Sequence, residues 1–189
     1  MAELNEDEIV ALVCRTLAEC ETDYMIVGSF SSNAYGDPRS TKDADFVVGT
    51  DGGELNRLLN DLGGDFRLDP QMSFETFTGT IRRILHYRPS GFYVELFNLS
   101  DDPFDQERFR RRRTERFIGD QDVYVATPED VIIQKLRWGR PKDIEDALSV
   151  VTMQFQSLDW NHIERWCGIH GSTDRLESVR TEAERIRQA

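Results

Sequence analysis

The chain has 189 residues and a formal net charge of −12, from 35 acidic and 23 basic side chains. That acidity argues against a protein that coats duplex nucleic acid non-specifically, and the absence of any run of about 18 apolar residues excludes a membrane-spanning helix. Eleven Phe, five Tyr and three Trp nonetheless supply bulky core material for a folded domain of ordinary size. The N-terminal MAELNEDEIV is acidic where a secretory leader is basic and then apolar, so a cytoplasmic location is the default expectation.

Apolar residues at helical spacing predict a helix over 6–21. Tyr24 to Gly28 reads as a short buried strand, Ser29 to Tyr35 as a short helix, and Gly36-Asp37-Pro38 as a turn. Ala44 to Val48 is a second strand. Asp51-Gly52-Gly53 opens a helix through Leu62 that Gly63-Gly64 closes. Strands are expected at 73–78, 80–87 and 91–98, as a meander with turns at Gly79 and at Pro89-Ser90-Gly91. A helix over 103–113 and a strand over 121–126 follow. Thr127-Pro128-Glu129-Asp130 is a strong helix start, with Thr at the N-cap, Pro in the first turn and a carboxylate at N3. Helices are then expected at 128–138, 142–154, 159–168 and 173–187. The order, mixed α/β first and all-α last, predicts an α+β core over 1–126 with a C-terminal helical region, 127–189, packed on it.

Three cysteines (Cys14, Cys20, Cys167) do not suggest a disulfide framework, and three scattered histidines (His86, His162, His170) match no zinc spacing. All six read as structural. The chemistry is concentrated elsewhere. A buried strand ends at Gly28-Ser29, which opens a helix; backbone N–H groups there bind anions, and glycine lets a phosphate come close. After 13 intervening residues comes Asp43-Ala44-Asp45, running into an apolar strand. Residues i and i+2 of a strand share a face, so Asp43 and Asp45 project together. Two adjacent carboxylates repel, and a cation is expected between them; oxygen-only ligands favour Mg²⁺ or Mn²⁺ over zinc. Glu95, alone among apolar neighbours in Phe92-Tyr-Val-Glu-Leu-Phe97, is either an exposed residue on a half-buried sheet or a third member of that acidic set.

Gly28-Ser29, Asp43-Ala44-Asp45 and Glu95 together resemble the nucleotidyltransferase superfamily that shares the DNA polymerase β palm. Residues 127–148, with Lys135 on a Pro-Glu-Asp helix and then Lys142, Asp143 and Asp146, resemble the AbiEii/AbiGii-type and related minimal nucleotidyltransferases. The resemblance implies a palm with a mixed sheet and a two-metal reaction on Mg²⁺, with Mn²⁺ as a substitute. Asp43, Asp45 and Glu95 would be the metal ligands and catalytic acids. Gly28, Ser29 and Lys135 would hold the nucleotide. An NMP group would pass from an NTP to a hydroxyl acceptor: an RNA or tRNA end, a protein hydroxyl or a small molecule such as an aminoglycoside. Membership of a toxin–antitoxin pair, with a cognate antitoxin as partner, is implied by the resemblance alone.

Other readings stay open on the residues. Lys135 on an amphipathic helix is ordinarily solvated. Asp143 suits a helix N-terminus through the macrodipole, and Asp146 suits a solvated face. Arg39 and Lys42 flank the acidic motif and would pair with its carboxylates or with phosphate. Six of the nine residues from Arg108 to Arg116 are arginine, which is either a balanced helix face or a phosphate-binding edge for an RNA acceptor. The rival functions are a non-catalytic nucleotide-binding or regulatory module on the same fold, and a metal-dependent phosphohydrolase, which would want histidine near Asp43 and Asp45.

Overall fold

The computed structural model describes residues 3–49, 54–118 and 121–188. The chain forms two compact units, one of Met1–Val27 and Thr41–Val125, the other of Gly28–Ser40 and Ala126–Ala189. The division drawn from the sequence at residue 126 differs in one respect: Gly28–Ser40 groups with the later helices.

The first unit holds an eight-stranded mixed sheet. Its elements in chain order are α1 (Glu6–Glu19), β1 (Tyr24–Val27), β2 (Asp43–Val48), α3 (Glu54–Leu62), β3 (Phe66–Leu68), β4 (Ser73–Phe74), β5 (Ile81–Tyr87), β6 (Tyr93–Asn98), α4 (Pro103–Arg111), β7 (Arg113–Ile118) and β8 (Gln121–Val125). The strand order is β3-β5-β6-β2-β1-β8-β7, with β4 paired to β5. The β2/β6 and β1/β8 pairs are parallel, and the remaining pairs are antiparallel. Central β1 is buried at every residue, as Tyr-Met-Ile-Val requires. α1 starts on a full capping box, Asn5 with Glu8, and buries Ile9, Val10, Val13 and Leu17.

The second unit is helical: α2 (Gly28–Tyr35), α5 (Pro128–Trp138), α6 (Pro141–Gln154), α7 (Trp160–His170) and α8 (Thr173–Gln188). Thr127 caps α5 through Asp130 N–H, and Gly139, left-handed at φ 67°, ends it. The expected α+β fold with a mixed sheet and late helices is the fold found. The helix expected over 103–113 is α4. Two strands escaped the sequence: β3, of only three residues, and β7, which follows α4 where no element was expected. The run 73–78 forms a strand only over Ser73–Phe74 before Glu75 folds its carboxylate onto the N–H groups of Phe77 and Thr78. The Asp51-Gly52-Gly53 opening lies outside the described residues, while α3 itself is present. Among the described residues, no helix is long and apolar enough to cross a membrane.

Candidate active site

In the first unit the acids are set by strand register. Along β2, Ala44 and Phe46 are fully buried on one face while half-buried Asp43 and Asp45 take the other. Asp45 stands opposite Glu95 of β6, and Asp43 opposite Tyr93. Partners in a ladder point to the same side, about 4.8 Å apart between strands. Val27 of β1 flanks Asp45 on one side, and Ile84 of β5 flanks Glu95 on the other. Three carboxylates therefore share one face of two neighbouring strands.

Each has local partners. Thr41 donates its hydroxyl to Asp43 Oδ1 at 2.7 Å. Arg82 of β5 points Nη1 at both Glu95 oxygens, 3.2 and 3.1 Å away, while its Nε donates to Ser73 Oγ at 2.8 Å. Burial first, and then the charges of Asp43, Glu95 and Asp45, push the Tyr93 phenol above its ordinary value. Among the described residues, no three Asp, Glu, His or Cys side chains are gathered closely enough to clasp an ion together. The donor set nonetheless fits a hard divalent ion, being all oxygen and all carboxylate on one strand pair. The same unit has a pocket of about 900 Å³ lined by Tyr93, Phe92, Lys42 and the acidic N-terminal residues Glu3, Glu6 and Asp7; none of the three acids lines it.

The second unit carries the other residues singled out by sequence. Gly28 opens α2 at φ 66°, a left-handed conformation that favours glycine. Buried Ser29 follows. Lys135 is buried rather than solvated: its ammonium donates to Asp146 Oδ2 at 2.6 Å and lies 3.5 Å from Asp143 Oδ1. Asp143 and Asp146 are likewise buried, so neither lies on a solvated face. Arg39 grips Asp146 with two hydrogen bonds, Nε to Oδ1 at 2.7 Å and Nη2 to Oδ2 at 2.9 Å, and Nη2 also donates to Ser29 Oγ at 2.9 Å. Burial pushes the Asp146 carboxyl up, but the hydrogen bonds and charges of Arg39 and Lys135 outweigh it and leave it below the ordinary carboxylate range.

Sequence reasoning missed Arg82 and Tyr93. Arg82 sits in Ile-Arg-Arg-Ile, where either arginine could take either face, so only the β5/β6 register identifies it. Cys14, Cys20 and Cys167 are free buried thiols, burial pushing Cys14 up to about 12. His162 pairs with buried Asp130 at 2.8 Å. The arginine-rich stretch is largely paired with carboxylates of its own unit: Arg108 with Asp105, Arg112 with Asp23, Arg113 with Glu115 and Arg116 with Asp122.

A family model described as "Nucleotidyltransferase of unknown function (DUF6036)" matches residues 7–187. No curated protein matches the chain. Among solved structures, ANT(2'')-Ia in complex with adenylyl-2''-tobramycin aligns with a TM-score of 0.62 at 16% identity, over 88% of this chain and 97% of that one. An antigenic nucleotidyltransferase-like protein from Paracoccidioides brasiliensis aligns at 0.57 and 21% identity over 95% of both chains. JHP933 from Helicobacter pylori aligns at 0.57 and 12% identity, over 98% of this chain and 94% of that one. At these identities the likeness is one of fold.

Proposed function

The chain belongs to the nucleotidyltransferase family DUF6036, and from that premise we propose that it moves an NMP group from an NTP to a hydroxyl acceptor. The observation that carries this reading is the register of β2 on β6, with Asp43, Asp45 and Glu95 on one face. In the proposed reaction the acceptor oxygen attacks the α-phosphorus, the bond to the β-phosphate bridge breaks, and pyrophosphate leaves with that electron pair. Asp43, Asp45 and Glu95 would hold Mg²⁺, or Mn²⁺ in its stead. The ion supplies charge neutralisation and orientation of the phosphates. Glu95 accepts the proton of the acceptor hydroxyl, with Asp45 opposite it on the neighbouring strand. Gly28 and Ser29 begin α2 and offer N–H groups to the triphosphate, with Lys135 supplying positive charge in the same unit.

A small hydroxylated acceptor is favoured over RNA. The pocket at Tyr93 carries three carboxylates, Glu3, Glu6 and Asp7, against one cation, Lys42, a balance that disfavours a polyphosphate chain, and the arginines that would have drawn RNA are held in ion pairs. ANT(2'')-Ia, which shares the fold, was captured with a nucleotide joined to an aminoglycoside, and this supports an acceptor of that size.

The test is pyrophosphate release from each of the four NTPs with Mg²⁺ and panels of amino-alcohol and sugar acceptors. Release that depends on an acceptor is expected, and Asp45→Asn should reduce it by ~100-fold or more. The Arg82 ion pair on Glu95 supports a second reading, a non-catalytic nucleotide-binding module. Nucleotide binding without release in any arm, in both the parent and Asp45→Asn, would favour that module.

A further inference from the structure

We propose that Tyr93, His86 and Asp69 form the acceptor subsite, on which a saturated, hydroxylated ring rests with one hydroxyl turned toward Glu95. This rests on the nucleotidyl-transfer reading above and names the acceptor class and the residues that hold it.

Strand register lays the subsite out. On the face that bears the acids, Asp43, Tyr93, His86 and Arg67 stand in one row across β2, β6, β5 and β3. Asp45, Glu95 and Ile84 form the adjacent row. His86 therefore lies one strand spacing, about 4.8 Å, from the strand of Glu95, and diagonal to it. The core lies against the other face, where Ala44, Val94, Leu96, Leu85 and Tyr87 are buried. The outward side chains are nonetheless held in place. The Tyr93 and His86 rings are 6.1 Å apart and tilted by 47°. His86 Nε2 is 3.2 Å from Asp69 Oδ2. Asp69 is fixed in turn: its N–H donates to the Ile84 carbonyl, and its Oδ1 accepts from Gln71 N–H, both at 2.8 Å.

The strip is open to a ligand, with the His86 side chain 44% exposed and that of Asp69 28%. Its chemistry selects the ligand. Two aromatic rings offer apolar faces, which the C–H face of a saturated ring covers well and an open chain covers poorly. An ionised carboxylate only accepts, so His86 carries its proton on Nε2 and leaves Nδ1 to accept from a hydroxyl. The Tyr93 hydroxyl donates or accepts. These groups match neighbouring hydroxyls on a ring. Asp69 favours an amine and disfavours a phosphate beside that ring, so the class is a free sugar, cyclitol or amino sugar rather than the ribose of a nucleic acid. Tyr93 is also a wall of the pocket of about 900 Å³, room for an acceptor with more than one ring.

The experiment uses the full chain and three ring probes, tobramycin, trehalose and myo-inositol, with spermidine as an open-chain amine. Calorimetric titration measures binding of each probe and of each of the four Mg·NTPs, and pyrophosphate release gives KM for both substrates. At least one ring probe should bind and drive release. His86→Ala and Tyr93→Phe should each weaken binding of that probe about 3–10-fold and raise its KM alike, with KM for the NTP unchanged to within about twofold. His86→Phe should recover part of the loss, because it restores the ring face. His86→Ala and Tyr93→Phe that both bind the probe as the parent does, or that weaken the NTP as much as the probe, overturn the proposal. If His86→Ala does not fold, Tyr93→Phe decides alone. Spermidine binding as tightly as the ring probes overturns the ring class. A parent that binds Mg·NTP but no ring probe, or that transfers the nucleotide to RNA instead, overturns the subsite. A parent that binds no Mg·NTP overturns the nucleotidyl-transfer reading itself, a result distinct from all of these.

Discussion

Asp146 shows how one carboxyl can be buried and still stay charged. Burial alone would raise its pKa, yet two cations hold it below its ordinary value of 3.8. The native state thus binds fewer protons there than the unfolded chain, so the stability it lends is complete above that ordinary value and is lost as pH falls through the lower, folded one. Melting temperature should therefore hold to about pH 5 as far as this group decides, then fall below roughly pH 4; Asp146→Asn should melt earlier at pH 7 and show a shallower acid limb. A parallel acid limb in the variant would mean that other carboxylates control acid unfolding. On the strand face, Arg82 and a divalent ion compete for the same Glu95 oxygens. Millimolar Mg²⁺ should raise the melting temperature by mass action, Arg82→Met should enlarge that response, and Asp45→Asn should shrink it. Identical thermal shifts in all three proteins would remove the metal from the acidic face. Gly28, at φ 66°, carries a backbone demand as well as a binding one: Gly28→Ala should cost about 1–2 kcal/mol before any ligand is added.

Among the elements, α5 was the easiest to read in advance. Thr127 accepts from Asp130 N–H at 3.3 Å and donates to Asp130 Oδ2 at 2.8 Å, while Asp130 Oδ1 meets His162. Thr127→Ala should therefore cost about 1–2 kcal/mol, a lowering of melting temperature by roughly 2–8 °C. A shift under about 1 °C would show the cap to be dispensable. Local signals of this kind are why every helix of the second unit was legible, to within one or two residues at most ends. The strands with alternating or continuous apolar residues, β1, β2, β5 and β6, were legible for the same reason. What failed to show was whatever depends on distant partners. β3 has three residues and β7 begins with four polar ones, Arg113 to Arg116, and each is a strand because β5 or β8 offers it an edge. In the site, the shared face of Asp43 and Asp45 follows from strand period alone. That Glu95 lies opposite Asp45 needs the parallel pairing of β2 with β6, which periodicity does not contain. The burial of Lys135, Asp143 and Asp146 was equally invisible, because an amphipathic pattern cannot reveal that opposite charges will meet in an interior.

For the molecule as a whole, a charge of −12 sets the terms with partners. A dense arginine stretch in an acidic chain invites an RNA-binding reading, but Arg108, Arg112, Arg113 and Arg116 each face a carboxylate of their own unit. Binding of tRNA-sized RNA should be negligible at physiological salt, and replacing Arg110, Arg111 and Arg113 by Gln should leave it so. A parent that binds RNA with a steep salt slope, lost in the triple variant, would restore RNA as acceptor. The second unit has a further property, one of time. It is assembled from two stretches of chain, and the segment Gly28–Ser40 is tied to α6 by Arg39 to Asp146, 107 residues apart, and by Gln154 to the Tyr35 carbonyl, 119 apart. At synthesis rates of about 5–20 residues per second, Gly28–Ser40 leaves the ribosome roughly 5–20 s before the helix that completes it. The buried serines and Phe30 of α2 spend that interval uncovered, so the half-made chain is where chaperones would bind and where a stalled or truncated message would do harm.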